Sequence, residues 1–191
     1  MNPAEVLEVL ERRGALRRGH FKLSSGRHSD VFVQKFRVLE DPKLTQAFGA
    51  AIAERFHGAF DCVASPAVGA IVLGFSVALA AQKRMIFAER LGDTLAFRRG
   101  FEVHPREKTL VVEDVVTTGG SAHAVVELVR MSGGEPVGIG ALIDRNDPAR
   151  ADLGVRLEAL AKLDIASWDP DECPLCKSGA PIEDPGSRRL M

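Results

Sequence analysis

One segment constrains this chain more than any other: an apolar strand that runs directly into two carboxylates and a glycine turn. Leu110–Val112 are followed at once by Glu113 and Asp114. After two valines, two threonines, two glycines and a serine occupy positions 117–121, and an amphipathic pattern begins at Ala122–Met131. The segment predicts a buried strand that ends at Glu113, a loop that begins at Asp114 and a helix. Ligands bind at the carboxyl ends of strands in parallel sheets, so we expect a binding site here.

The chain around this segment alternates between predicted strands and helices. Apolar strands are expected over Asp61–Ala64, Met85–Ala88, Val137–Ile143 and Val155–Leu163, and a helix is expected over Ile71–Gln82. Strands that alternate with helices indicate an α/β fold with a central, mostly parallel sheet flanked by helices.

The first 60 residues follow a different pattern. A first helix is expected to begin at Pro3 with a capping box formed by Asn2 and Glu5, and a second helix to begin at Asp41. Between them, Phe21–Leu23 and Val31–Lys35 have the character of strands that flank a polar turn, which indicates a hairpin or loop.

Composition excludes several classes of protein. The 191 residues carry 25 Lys and Arg against 26 Asp and Glu, for a net charge of −1, which counts against bulk electrostatic binding to nucleic acid. No signal-peptide pattern is visible, and the most apolar stretch is broken by Asp61, Pro66 and glycines, so no membrane span is expected. We therefore expect a cytoplasmic protein.

The residues at 113–121 have the chemistry of a phosphate site beside a pair of carboxylates. Gly119 and Gly120 allow a sharp turn, the hydroxyls at 117, 118 and 121 add donors, and the next helix offers free N–H groups at its N-terminus. Glu113 and Asp114 would repel phosphate, so they are expected to accept hydrogen bonds from ribose hydroxyls or to help hold Mg²⁺. Neither a P-loop nor a dinucleotide-binding glycine motif is present.

The three cysteines predict little chemistry. Cys62 lies in an apolar run and is expected to be a small buried hydrophobic residue. Cys173 and Cys176 form a single C-x2-C pair, and neither a second pair nor matching histidines follow it. The sequence therefore favours a reduced thiol pair over structural zinc.

These motifs together resemble those of the type I phosphoribosyltransferases. Val111–Ser121 is similar to the phosphoribosyl-pyrophosphate motif of that superfamily. Gly19–Ser29 resembles the N-terminal segment of its orotate-using family, and Ser65–Ala70 resembles the pyrophosphate loop. Leu142–Arg145 is similar to the strand end whose arginine meets orotate, and Cys173–Arg188 resembles the tail of one bacterial branch.

The resemblance implies the type I phosphoribosyltransferase fold, with a small N-terminal hood and a mobile loop. The chain would form a single domain over 1–191. Within it, residues 1–40 would be the hood segment, 60–165 the core and 167–191 a C-terminal arm extended on the surface. The mobile loop would be Glu89–Glu102, which closes over the substrate and excludes water.

The resemblance also implies a reaction and its residues. Orotate and phosphoribosyl pyrophosphate would give orotidine 5′-monophosphate and pyrophosphate, a step of de novo UMP synthesis. Phosphoribosyl pyrophosphate would be bound by Glu113, Asp114, Val115, Val116, Thr117, Thr118, Gly119, Gly120 and Ser121. Thr117 and Arg145 would bind orotate. Mg²⁺ would be the cofactor, bridged by the substrate, with Asp114 as the candidate protein ligand. The expected partners are these substrates and a second copy of the chain, with no nucleic acid and no membrane.

The chain departs from the family pattern in its lysines. No lysine lies between Lys83 and Lys108, Val68 stands where a pyrophosphate-loop lysine is expected, and Ser24 replaces a lysine of the N-terminal segment. We therefore predict Arg90 as the catalytic hood-loop residue beside Glu113 and Asp114, with Arg98 and Arg99 as weaker candidates. Two alternatives stay open: a purine-base phosphoribosyltransferase, and a non-catalytic regulator that senses phosphoribosyl pyrophosphate.

Overall fold

The computed structural model describes residues 1–23, 26–92, 94–145 and 152–185. Ser24 and the tail residues Gly186, Ser187 and Arg188, which carried part of the resemblance, lie outside the described residues. The helices are α1 Pro3–Arg12, α2 Phe36–Leu39, α3 Pro42–Arg55, α4 Ala70–Ala81, α5 Gly120–Met131 and α6 Pro174–Lys177. The strands are β1 Leu16–Lys22, β2 His28–Val33, β3 Cys62–Pro66, β4 Arg84–Leu91, β5 Thr94–Phe97, β6 Lys108–Val116, β7 Glu135–Asp144, β8 Leu157–Lys162 and β9 Ser167–Trp168.

A six-stranded sheet in the order β5-β4-β3-β6-β7-β8 forms the centre of the molecule. All neighbours are parallel except β5, which pairs antiparallel with β4 as a hairpin. Leu110 and Val112 of β6 belong to a core with α1, α3 and α4, whereas Val111 belongs to a second core with α5. Helices therefore cover both faces, and the predicted α/β fold class is confirmed.

The N-terminal residues build a second, smaller sheet with part of the tail. β1 and β2 form the predicted antiparallel hairpin, and β9 pairs antiparallel with β2. The expectation of an extended surface arm was wrong for this part of the tail, because β9 joins the sheet and Cys173 is fully buried. Its partners lie about 140 residues away in the chain, so no local pattern indicated them.

The N-termini of the helices divide into capped and open ends. The predicted capping box of Asn2 and Glu5 is present at α1, and the Asp41 side chain accepts hydrogen bonds at the start of α3. By contrast, α4 and α5 have glycines, Gly69 and Gly119, at their N-cap positions and therefore have no side-chain cap. Both follow the carboxyl ends of parallel strands, so their free N–H groups are available to a ligand.

Both carboxylates lie inside β6: Glu113 is in the strand as predicted, but Asp114 is not the first residue of a loop. Pairing between β6 and β7 continues as far as Val116 opposite Asp144, so the strand includes Glu113 and Asp114. The turn is consequently shorter than expected, and α5 already begins at Gly120. Within the described part of the chain, no helix has the length and apolar character needed to cross a bilayer.

Two glycines of β7 let α3 pack closely on the sheet. A Cβ at Gly140 would lie 2.5 Å from Ile52 Cγ2, and one at Gly138 would lie 2.6 Å from Phe56 Cε1. Gly138 and Gly140 lie within a strand, as the sequence indicated, and their spacing reflects helix–sheet contact.

We expect Gly140→Ala to lower the free energy of unfolding by about 1–3 kcal/mol, because the added methyl group overpacks the contact with Ile52. Urea denaturation followed by circular dichroism measures this change. Gly120→Ala is the matched control: its Cβ would meet only Thr118 Oγ1 at 3.9 Å, so stability should hold or rise by up to about 1 kcal/mol. Equal stability of Gly140→Ala and wild type would contradict the packing argument.

Candidate active site

A cavity of about 560 Å³ opens where β6 leads into α5. Its walls come from the end of β6, the following turn, one side of α5 along its length and the β4–β5 hairpin. The lining residues are Arg90, Thr94, Leu95, Glu113, Val115, Val116, Thr117, Thr118, Gly119, Gly120, Ser121, Ala122, Ala124, Glu127, Leu128 and Met131. Nine of the sequence-predicted site residues thus lie around one space: Arg90, Glu113 and the seven residues 115–121.

The turn at the cavity floor has the geometry of an anion site. Gly119 adopts φ 81°, a left-handed conformation that glycine reaches without steric cost, and it stands at the N-cap of α5. No side chain caps this helix, so the N–H groups of its first turn have no intrahelical partner. Together with the exposed Thr118 and Ser121 they form a concave set of donors for a phosphate group.

Asp114 is held by a lysine from the N-terminal part of the chain. Its carboxylate is only 2% exposed. Asp114 Oδ1 accepts hydrogen bonds from Lys35 Nζ at 2.8 Å and from the Val115 backbone N–H at 2.7 Å. Oδ2 lies 2.7 Å from the same Lys35 nitrogen but accepts no hydrogen bond from the described residues. One carboxylate oxygen therefore retains acceptor capacity.

Lys35 is the functional candidate that the sequence did not reveal. It follows β2 and stands 79 positions before Asp114, so no spacing pattern joins the two residues. The lysines that the family pattern predicted are absent from 68 and from the segment between 83 and 108. Lys35 supplies a cation at the carboxylate pair from another element.

Gly69 closes this arrangement from the side of α4. A Cβ on Gly69 would lie 2.1 Å from Asp114 Oδ2 and 2.9 Å from Lys35 Nζ, so only glycine fits. The end of the loop at 65–70 therefore lies directly against the ion pair. The start of α4, Lys35 and Asp114 form one contiguous group at the carboxyl edge of the sheet.

Glu113 differs electrostatically from its neighbour. Burial, with the charge of Asp114 as a second cause, raises the pKa of Glu113 to about 8. The free protein therefore holds a largely neutral Glu113 at neutral pH beside the Lys35–Asp114 ion pair. The two adjacent carboxyl groups then carry little net charge, which removes much of the repulsion that we expected them to exert on phosphate.

No protein-family model matches the chain, but whole-length relatives do. An orotate phosphoribosyltransferase of Caldanaerobacter subterraneus subsp. tengcongensis is 46% identical over 191 residues, which is 100% of both chains. One of Thermotoga maritima is 46% identical over 97% of this chain and 99% of its own. The chain belongs to the orotate phosphoribosyltransferase family. The crystal structure of the Aeropyrum pernix orotate phosphoribosyltransferase aligns with a TM-score of 0.72 and 29% identity, over 83% of this chain and 94% of that one.

The arginines that were predicted as substrate contacts of an orotate phosphoribosyltransferase lie in different environments. Arg90 is exposed on β4, lines the cavity and forms no ion pair with any described residue. Arg99 makes a two-pronged ion pair with Glu89 through bonds of 2.9 Å, which occupies its guanidinium. Arg145 follows β7, and its backbone N–H donates to Val116 at 2.9 Å, but its side chain is not among the described residues that line the cavity.

Because the folded-state pKa of Glu113 exceeds its ordinary value of 4.5, the native state binds more protons than the unfolded state between that pH and about 8. Glu113 therefore favours folding at low pH and loses this contribution as pH rises. Glu113→Gln has no proton to lose at this position, so its Tm should fall less than that of the wild type as pH rises. The Tm of the variant minus the Tm of the wild type should therefore increase from about pH 5 to about pH 8.

Thermal unfolding followed by circular dichroism measures this difference in Tm. Glu135→Gln, at an exposed carboxylate, is the control and should follow the wild-type profile at every pH. A Tm difference for Glu113→Gln that does not change with pH would show that Glu113 titrates normally.

Proposed function

We propose that this chain transfers the phosphoribosyl group of 5-phospho-α-D-ribose 1-diphosphate to orotate, giving orotidine 5′-monophosphate and diphosphate in UMP biosynthesis. One observation carries the proposal: the uncapped start of α5, the Gly119 turn and Glu113 line a single cavity, and Asp114 follows Glu113 on the same strand. The whole-length relatives carry the orotate name, so a purine-base enzyme and a non-catalytic regulator are not favoured.

The two halves of the site suit the two halves of phosphoribose. The N–H groups at the start of α5 and the hydroxyls at 117, 118 and 121 would hold the 5′-phosphate. Asp114 Oδ2, which accepts no hydrogen bond from the described residues, would accept one from a ribose hydroxyl. Glu113 would share this role, and a hydroxyl donor or a nearby cation would favour its ionised form.

Cleavage of the bond to diphosphate would develop positive charge at the anomeric carbon and negative charge on the leaving group. Arg90, with no ion pair of its own among the described residues, would meet that negative charge from the β4–β5 hairpin. Lys35, next to Gly69 and the start of α4, would stabilise the negative charge of the diphosphate from the opposite side. These two cations would replace the lysines that the family pattern predicted at other positions.

Mg²⁺ fits the donor set of this site. Hard cations bind carboxylate oxygens together with substrate phosphate oxygens, and Asp114 Oδ2 is a carboxylate oxygen with unused acceptor capacity. When bound, Mg²⁺ would neutralise charge on the diphosphate and assist its departure. Asp114, held in place by Lys35 and the Val115 N–H, would be its protein ligand.

Orotate would lie at the adjoining strand end. Thr117 lines the cavity, and Arg145 is tied through its backbone to Val116, one residue before it. A guanidinium pairs with a carboxylate through two parallel hydrogen bonds, so Arg145 would bind the orotate carboxylate. That pairing would distinguish orotate from bases without a carboxylate.

A spectrophotometric assay tests the proposal. The protein is mixed with orotate, phosphoribosyl pyrophosphate and Mg²⁺, and the loss of orotate absorbance is followed. Adenine, hypoxanthine and guanine are assayed in parallel. Turnover with a purine and none with orotate would refute the proposal, and tight binding of phosphoribosyl pyrophosphate without any turnover would favour a regulator.

We expect Lys35→Met to lower kcat/KM for phosphoribosyl pyrophosphate by at least about tenfold, or roughly 1.4 kcal/mol, since it removes a cation beside the diphosphate. Lys35→Arg should recover part of this loss. Initial rates at varied concentrations of each substrate provide the measurement.

Lys43→Met, at an exposed lysine of α3, is the matched control and should retain wild-type kinetics. A purely structural role for Lys35 would lower the Tm without changing the KM for phosphoribosyl pyrophosphate. That result would show that Lys35 neutralises Asp114 without contacting the substrate.

A homodimer is part of the proposal. Large apolar side chains at 68, 72, 75 and 79 are 47–75% exposed and follow helical spacing along α4 and the residues before it. A stripe of this kind on a folded surface indicates a protein contact. Because α4 begins at the site, a second copy packed on this stripe would adjoin the active site of the first.

Light scattering on a sizing column should give a mass near twice 20.6 kDa for the wild type. Phe75→Asp, which places a charge in the middle of the stripe, should shift the protein toward 20.6 kDa. Ile182→Asp alters a similarly exposed apolar residue of the tail and should leave the mass unchanged. If the Phe75→Asp variant remained a dimer, the interface would not lie on this stripe.

A further inference from the structure

A cluster of two histidines and two cysteines lies outside the proposed active site. His20 and His28 come from β1 and β2, while Cys173 and Cys176 flank and occupy α6. One ligand atom from each of the four side chains lies within 4.8 Å of all the others. His20, His28 and Cys173 are buried, and Cys176 is at the surface. None of the four lines the active-site cavity.

Four of the six ligand-atom distances within the cluster are close to those of a tetrahedral metal site. His20 Nε2 lies 3.2 Å from His28 Nδ1, and His28 Nδ1 lies 3.2 Å from Cys176 Sγ. His20 Nε2 also lies 3.6 Å from both sulfur atoms. For Zn–N bonds of about 2.0–2.1 Å and Zn–S bonds of about 2.3 Å, tetrahedral geometry separates ligand atoms by roughly 3.3–3.8 Å.

A second interaction orients one of the imidazoles for this role. His20 Nδ1 lies 2.9 Å from the Ala180 carbonyl oxygen, which can only accept a hydrogen bond. In a neutral ring Nδ1 therefore carries the proton, and Nε2 turns its lone pair toward the two sulfur atoms and His28. Metal-bound histidines commonly donate their other ring N–H to a carbonyl in this way.

We propose that His20, His28, Cys173 and Cys176 bind one Zn²⁺ ion as a structural site. Two imidazole nitrogens and two thiolate sulfurs form a complete tetrahedral set that favours zinc over Mg²⁺ or Ca²⁺. With four protein ligands, no coordination position stays open for a substrate. The two thiols would lose their protons to solvent when the metal binds.

The site joins the tail to the N-terminal hairpin. In the same region β9 pairs with β2, and Arg27 donates hydrogen bonds to Asp169 and to Ser167. Glu183 forms backbone bonds with Lys22 and His20. The β1–β2–β9 sheet is small, and small folding units often use a metal where apolar burial is limited. Zinc would thus fasten residues 167–185 to the hairpin.

The sequence pattern did not predict this cluster, because its ligands are far apart in the chain. The sequence has one C-x2-C pair, and no histidines follow that pair at zinc-finger spacing. The structure provides two histidines from upstream, His28 and His20, which lie 148 and 156 positions before Cys176. Sequence spacing did not indicate this cluster, because it considers only ligands that are close to one another in the chain.

Metal analysis of the full chain purified without chelator tests the proposal. Inductively coupled plasma mass spectrometry should find about one zinc per chain. Replacement of zinc by Co²⁺ should give visible d–d bands of tetrahedral cobalt and thiolate-to-cobalt charge transfer. A chain that contains no zinc and takes up neither Zn²⁺ nor Co²⁺ after reduction would overturn the proposal. A disulfide between Cys173 and Cys176 in protein kept in reducing buffer would also overturn the proposal.

Variants assign the ligands. Cys176→Ser and His28→Asn should each lower zinc content at least tenfold and abolish the cobalt spectrum. Cys62→Ala and His57→Asn are matched controls, since Cys62 is buried in another part of the core and His57 is exposed. Both should retain the metal. Zinc retained by Cys176→Ser would refute the ligand set, and the wild-type metal analysis remains decisive if that variant does not fold.

The result does not depend on the proposed enzymatic activity. Zinc content and the cobalt spectrum report on the four ligands alone, whereas turnover with orotate reports on the cavity at β6. Removal of zinc with a chelator, followed by excess Mg²⁺, should lower the Tm and increase proteolysis within residues 167–185. An unchanged Tm and cleavage pattern would contradict the structural role of the metal.

Discussion

Strand β6 sets the position of almost everything that the site needs. It is hydrogen-bonded to β3 on one side and β7 on the other, and its apolar residues are buried on both faces. A strand held in this way cannot shift its register without moving apolar side chains out of both cores. Glu113 and Asp114 are consequently fixed at the carboxyl edge of the sheet, directly before the turn into α5.

The electrostatics of the site follow from that fixed position. Two adjacent carboxyl groups in a buried strand cannot both be charged at low cost. The structure resolves this conflict by pairing Asp114 with Lys35 and by raising the pKa of Glu113 to about 8. The result is a nearly neutral pair beside an open helix N-terminus, which is an environment that tolerates both ribose hydroxyls and phosphate.

Prediction from sequence succeeded where the determinants are local. The capping box at Asn2, a helix start at Asp41 and Pro42, and the hairpin of β1 and β2 were expected, and all three are present. It failed where the end of an element depends on a neighbour. The strand was expected to end at Glu113 and a loop to begin at Asp114, but pairing with β7 extends β6 through Val116. The tail was expected to extend over the surface, yet β9 pairs with β2 and Cys173 is buried.

By itself, the sequence determined the strand, turn and helix at 109–131 and hence a candidate anion site beside two carboxylates, because these residues are contiguous and backbone geometry links them directly. Only the tertiary structure decided which distant side chains complete each site. Lys35 reaches Asp114 across 79 positions, and His20 and His28 meet the cysteines of the tail across about 150. Such contacts depend on how the small sheet packs and pairs, and no periodicity or spacing within the chain encodes them.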